Sequence, residues 1–181
     1  MRKPFIWLLL AAALCGLLSA AAAEAPETTE ESVNVMGSFT VSAEIPKGYT
    51  FEGNYVSDIL YYGTLTPENP AYPVAIVTIA FDEEADGRSI GDLTEEEISG
   101  MIAQDTASLG ERVEFSEAET AHGTKLLVYN ILDEEEARFE IYTLYKGYQV
   151  GCVILPGQGQ TMTEELLKIA VDFLSGVWIT E

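Results

Sequence analysis

The chain has 181 residues, with 30 acidic against 9 basic ones and a formal net charge of −21. That balance excludes nucleic acid as a partner, because phosphate binding depends on clustered Lys and Arg, and it disfavours anionic lipid head groups for the same reason. The length suits one domain with a proper core.

Residues 1–23 read as a secretory signal peptide. Arg2 and Lys3 supply a positive start, an uncharged apolar run extends from Phe5 to Leu18, and Ala21-Ala22-Ala23 offers an A-x-A cleavage site before Glu24. The apolar run is shorter than the ~20 residues of a spanning helix. The pattern predicts an exported protein, extracellular, surface-associated or periplasmic, with no membrane insertion after cleavage; a retained anchor is the competing reading. Two of the nine basic residues and none of the thirty acidic ones lie in this segment, so processing takes the net charge from −21 to −23. Cys15 falls within it. Leu14 occupies the position where lipidation needs a small residue, which rejects a lipoprotein. Cys152 then stands alone, no internal disulfide is possible, and its apolar setting in Tyr148–Leu155 predicts a buried thiol.

Residues 24–36 begin Glu24-Ala25-Pro26-Glu27-Thr28-Thr29-Glu30-Glu31-Ser32, too acidic and too poor in large apolar groups to order themselves. A disordered spacer is expected there, and a single globular domain over 37–181. Phe39, Val41, Ala43 and Ile45 alternate with polar residues as in a half-buried strand, which Pro46-Lys47-Gly48 ends. A second strand is expected over Tyr55–Leu65. Val74–Phe81 is apolar on both faces, as for a central strand covered twice.

Thr94 and Glu97 have capping-box spacing, Ile98, Met101, Ile102 and Leu109 make one helical stripe, and Gly110 sits where a C-cap glycine belongs. Four strand-like runs follow, Arg112–Glu119, Lys125–Leu132, Ala137–Lys146 and Tyr148–Leu155, joined by connections short enough for antiparallel hairpins. Thr161 and Glu164 repeat the capping-box spacing before a stripe of Leu166, Ile169, Ala170, Phe173 and Val177. The expected class is α+β, with helices packed on a central antiparallel sheet of about six to seven strands in the order βββ-α-ββββ-α.

The stretch Phe39-Thr40-Val41-Ser42-Ala43-Glu44-Ile45-Pro46-Lys47-Gly48-Tyr49 resembles the opening of PsbP-like domains, a strand followed by Pro-x-Gly-aromatic. The Tyr148–Pro156 strand and a closing helix ending Phe173-Leu174-Ser175-Gly176-Val177-Trp178 resemble that family's C-terminal end. The resemblance implies an α/β/α sandwich and action by binding rather than catalysis, as in exported bacterial members. It maps no functional residue onto a position of this chain.

No cofactor, catalytic residue or metal ligand is expected. His122 is the lone histidine and lies in a Thr120-Ala121-His122-Gly123 turn, short of the ligands zinc needs and of the partners a catalytic triad needs. Asp82-Glu83-Glu84-Ala85-Asp86-Gly87 echoes an EF-hand loop, but Leu93 stands where the bidentate Glu belongs, so an acidic turn is the stronger reading and calcium the lesser one. Asp133-Glu134-Glu135-Glu136 reads as an exposed tip. A hydrolase using a carboxylate pair has no particular residues attached. The tyrosines are more informative. Tyr49, Tyr55, Tyr61, Tyr62 and Tyr72 crowd one stretch containing Pro67, Pro70 and Pro73, and tyrosine is favoured at binding surfaces. The sequence therefore predicts a non-enzymatic binding module for a protein or small ligand, with Tyr72 exposed and sharing its surface with Tyr55, Tyr61 or Tyr62.

Overall fold

A computed structural model describes residues 28–109, 112–132 and 137–181. The expected signal peptide, the Gly110 cap and the Asp133–Glu136 tip lie outside the described residues. Thr28–Val35 (β1), Phe39–Pro46 (β2), Tyr49–Ser57 (β3), Leu60–Pro67 (β4) and Val74–Phe81 (β5) come first. The helix Glu95–Leu109 (α1) precedes Val113–Glu119 (β6), Lys125–Ile131 (β7), Arg138–Tyr145 (β8) and Tyr148–Leu155 (β9). The helix Glu164–Ser175 (α2) and the short strand Val177–Thr180 (β10) complete the chain.

The strands form two antiparallel sheets. One has seven strands in the order β3-β4-β5-β9-β8-β7-β6, and the other has three in the order β1-β2-β10. With two helices, the class is α+β. β5 sits inside the large sheet between β4 and β9, but it is not covered twice as its sequence suggested: Ala75, Val77 and Ile79 are buried, whereas Val74, Ile76 and Ala80 are half-buried and Thr78 is exposed.

Register decides which side chains share a face, because cross-strand partners point the same way. The row Tyr61, Ile79, Val150, Thr143 belongs to the face that meets the small sheet and α2. There Tyr61, Ile79, Val150 and Phe173 join Val35, Phe39, Val41 and Ile45 in one buried cluster. Phe39 packs on Tyr148 with ring centroids 5.0 Å apart, and Phe51 on Phe173 at 5.9 Å. Gly53 and Gly63 are paired across β3 and β4 on this face, and a Cβ at either would collide with the Tyr61 hydroxyl or the Phe51 ring. The opposite face carries a smaller cluster in which Leu127, Tyr129 and Leu144 meet Ile98, Met101 and Ile102 of α1. Cys152 is fully buried in the main core.

Four further expectations need correction. Thr28–Val35 is a strand within the region read as a disordered spacer. Backbone pairing with β2 from Thr28↔Pro46 to Val35↔Phe39 supplies what its mostly exposed side chains do not, and Val35 anchors it in the core. The run Tyr55–Leu65 is the heart of a hairpin, turning at Asp58-Ile59 between β3 and β4. The element order is therefore five strands, helix, four strands, helix, strand. Finally, α2 is capped by Thr163, whose hydroxyl accepts from the Leu166 N–H at 3.3 Å, rather than by Thr161. It ends at Ser175, and Val177 passes into β10 instead of continuing the stripe. At α1 the expected box is present: the Thr94 N–H donates to Glu97 at 2.8 Å and the Glu97 N–H to the Thr94 hydroxyl at 3.2 Å.

Candidate binding cleft

The five tyrosines do not form one surface. Tyr61 is fully buried, its direct partner Tyr55 is exposed on the same face, and Tyr62 is exposed on the other. Burial, with Glu31 second, pushes the Tyr61 phenol up to about 12. Tyr72 is exposed as expected, at 54%. It shares its neighbourhood with Tyr49, whose phenol is raised by burial and then by Tyr72. Tyr49 is six residues from Tyr55 along β3, about 20 Å at the rise of an extended strand. Tyr72 is thus far from the other exposed tyrosines. Its loop is held by Gly157, where a Cβ would collide with the Ala71 carbonyl, and by the Gln158 N–H donating to Pro70 at 2.8 Å.

The acidic loop is likewise structural. Asp82 accepts from the Glu84 N–H at 2.9 Å and from Gln149 Nε2 at 2.7 Å, so both its oxygens are engaged in holding a short 3-10 turn. Among the described residues, no group of three or more His, Cys, Asp or Glu is placed to hold a metal ion.

A groove of about 640 Å³ lies between this loop, α1 and β8, and it contains the carboxylates most easily imagined as catalytic. Each has a tether. Glu97 pairs with Arg88 at 2.8 Å, and that bond, followed by the Thr94 contacts, holds its carboxyl down at about 2, the reverse of a general acid's requirement. Asp105 accepts from the Tyr129 hydroxyl at 2.7 Å. Nearby, buried Glu140 accepts from Tyr142 at 2.6 Å and from Arg138 Nε at 2.8 Å. Desolvation first, and these carboxylates second, raise both phenols. The arrangement is a cross-linked polar layer under α1.

The other large opening is chemically different. A cleft of about 390 Å³ lies on the core-facing side of the large sheet, between β7–β9 and the end of α2 with β10. Leu126, Val150, Leu174, Val177 and Ile179 supply its apolar lining. His122, Tyr145 and Trp178 also line it, with Thr120, Thr124, Thr143 and Ser175. No charged residue lines it.

Three of the four hydroxyls already have structural partners. Thr143 donates to the Lys125 carbonyl at 2.8 Å, Ser175 donates to Val171 at 2.8 Å, and Thr120 accepts from the Thr124 N–H at 3.0 Å. Ser175 also accepts from the Ala121 N–H at 3.0 Å, tying the His122 turn to α2. The polar tips of His122, Tyr145 and Trp178 have no hydrogen-bond partner among the described residues. An apolar pocket with a few uncommitted polar tips is a binding geometry. It offers no nucleophile–base pair.

Sequence reading missed this cleft. Its walls come from a turn after β6, three strands, a helix end and β10, segments up to 59 residues apart from Thr120 to Ile179. The available local signal was Val177-Trp178-Ile179-Thr180, an apolar strand-forming run after Gly176 that was absorbed into the helix.

No protein-family model matches the chain, and no curated protein matches it. No helix among the described residues is long and apolar enough to cross a membrane.

Proposed function

We propose that the chain is an exported, non-enzymatic binding module that takes an uncharged apolar group into the cleft beside β10. One observation carries this reading. In a chain with 30 acidic residues, a cleft of about 390 Å³ is lined without a single charge and with tyrosine, tryptophan and histidine at hand. Such a lining desolvates at little cost and favours an apolar ligand over an ionic one. Export rests on the pattern of residues 1–23. Resemblance to PsbP-like domains adds a fold of the α/β/α kind and a mode of action by binding.

The test uses N-phenyl-1-naphthylamine, an uncharged probe that brightens in apolar sites. A saturable rise in fluorescence is expected, insensitive to salt because the ligand is neutral. Thr124→Trp, which fills the cleft from its rim, should abolish the rise while leaving the melting transition in place. Folded wild-type protein that gives no rise would sink the reading. Mass analysis of exported protein should find Glu24, or a residue within two or three of it, at the N-terminus; intact Met1 in a membrane fraction would defeat the export claim.

A further inference from the structure

We propose that the occupant of the cleft is an extended peptide segment of a partner protein, added as a fourth strand to the small sheet along β10. This rests on the cleft being a binding site, as proposed above, and names what fills it.

The phase of the β2–β10 ladder shows which main-chain groups are available. The Glu44 N–H donates to the Gly176 carbonyl at 2.8 Å, and the register runs Val177↔Ala43, Trp178↔Ser42, Ile179↔Val41, Thr180↔Thr40. In an antiparallel pair, bonded and non-bonded positions alternate. Trp178 and Thr180 therefore turn their N–H and C=O groups toward β2, and Val177 and Ile179 turn theirs to the open side. Among the described residues nothing accepts or donates there.

The two sheets end in four edge strands, β1, β10, β3 and β6. Exposed edges invite pairing, and proteins blunt them with charges, bulges or proline. Glu30 and Glu31 stand on β1, Glu114, Glu117 and Glu119 on β6, and a register shift between Tyr55 and Ser57 interrupts β3 beside Glu52. The run Val177-Trp178-Ile179-Thr180 has no charge, no proline and no irregularity. Apart from its short length of four residues it is the least protected of the four edges, and it borders the uncharged cleft.

Strand addition gains affinity from main-chain bonds and specificity from pockets that receive alternate side chains. Two cavities lie along β10. The first is the 390 Å³ cleft, and the second, of about 320 Å³, is lined by Tyr145, Lys146, Tyr148, Ile179, Thr180 and Glu181. They share Tyr145 and Ile179, so they are neighbours along the strand. A segment beside β10 would place an apolar or aromatic side chain in the first and a polar one near Lys146 and Glu181. The net charge of −21 selects a segment without acidic residues and favours lysine or arginine at its ends. A second copy of the chain would bring another −21 and is disfavoured on the same ground.

The experiment uses end-blocked heptapeptides Lys-Thr-Val-Xaa-Val-Thr-Lys, with Xaa Phe, Leu, Ala or Asp, read by residue-resolved amide hydrogen exchange of the full chain. The Phe and Leu members should slow exchange at Val177 and Ile179 by about tenfold or more, a local protection that a strand partner confers. The Asp member should not. Replacing the terminal lysines with glutamates should weaken binding, more so at low salt. N-methylation of alternate peptide amides should abolish binding at one parity and spare it at the other. Naphthylamine binding without peptide protection of Val177 and Ile179 would overturn the strand inference and leave the binding cleft standing. Failure of both probes would overturn both readings. A peptide-free dimer whose interface protects β10 would replace the partner with a second copy.

Discussion

Phe173→Ala is the sharpest test of how α2 docks. Phe173 is 2% exposed, in the last turn of α2, and its ring lies 5.9 Å from that of Phe51. Phe51 covers Gly63 closely enough to forbid a Cβ there, so following a truncated neighbour would break that contact. A site that cannot collapse keeps its cavity, which places the cost in the upper half of the ~3–5 kcal/mol range for Phe truncation. Each kcal/mol is worth about 2–4 °C in a chain of this size, so the melting temperature should fall by roughly 8–20 °C. Differential scanning calorimetry and urea titration should agree on the loss, with Phe173→Leu well under half as damaging. A fall of less than about 2 °C would refute the docking, since it would mean that the ring stabilises the fold by no more than an exposed side chain does.

Three further outcomes follow from named contacts. Tyr61→Phe should leave stability unchanged or raise it by about 1 kcal/mol, because the buried hydroxyl has no partner and its removal relieves an unmet desolvation cost; a clear loss in thermal melts would show a bond that the geometry does not contain. Glu97 should titrate at about 2 by NMR, and since its folded value is depressed, the stability it contributes is present above the ordinary carboxylate range and lost as pH falls toward 2; Arg88→Ala should return the titration toward ordinary values. Burial alone pushes the Cys152 thiol up to about 12, so an aromatic disulfide reagent at pH 8 should react only after unfolding. Because the folded value is raised, this contribution is complete below the unfolded thiol's value and is lost progressively as pH rises from there toward 12.

The large sheet was legible where each strand's own side chains face a core. Val74–Phe81 and the runs that became β7, β8 and β9 appear in the sequence because their core-facing side chains are buried, although Thr78 on the second face of Val74–Phe81 is exposed and β6 is exposed over most of its length. The small sheet was partly hidden. β1 owes its order to main-chain bonds with β2, which leave no mark on side chains as exposed as Glu30 and Glu31. The β3–β4 hairpin was concealed by Tyr55, Tyr61 and Tyr62, which read as one apolar strand although Tyr61 and Tyr62 serve opposite faces. Tyrosine density reported sheet packing at Tyr61 and exposure at Tyr72, two unrelated circumstances.

The acidic character of the chain and its uncharged cleft are two sides of one arrangement. Carboxylates capable of crowding an opening are fastened elsewhere: Asp82 to its turn, Glu97 to Arg88, Asp105 and Glu140 to tyrosines. Charged edge strands β1 and β6 repel pairing at two margins, and the β3 irregularity spoils a third. What is left without charge is a continuous strip, from the apolar lining at Leu126 and Val150 to the free main-chain groups of Val177 and Ile179. An even scatter of 30 acidic residues among 181 would have put about two of them among the 12 residues that line the cleft. Their exclusion from this strip is the physical ground for assigning it to a ligand, and the open ladder beside it is the ground for expecting that ligand to be a strand.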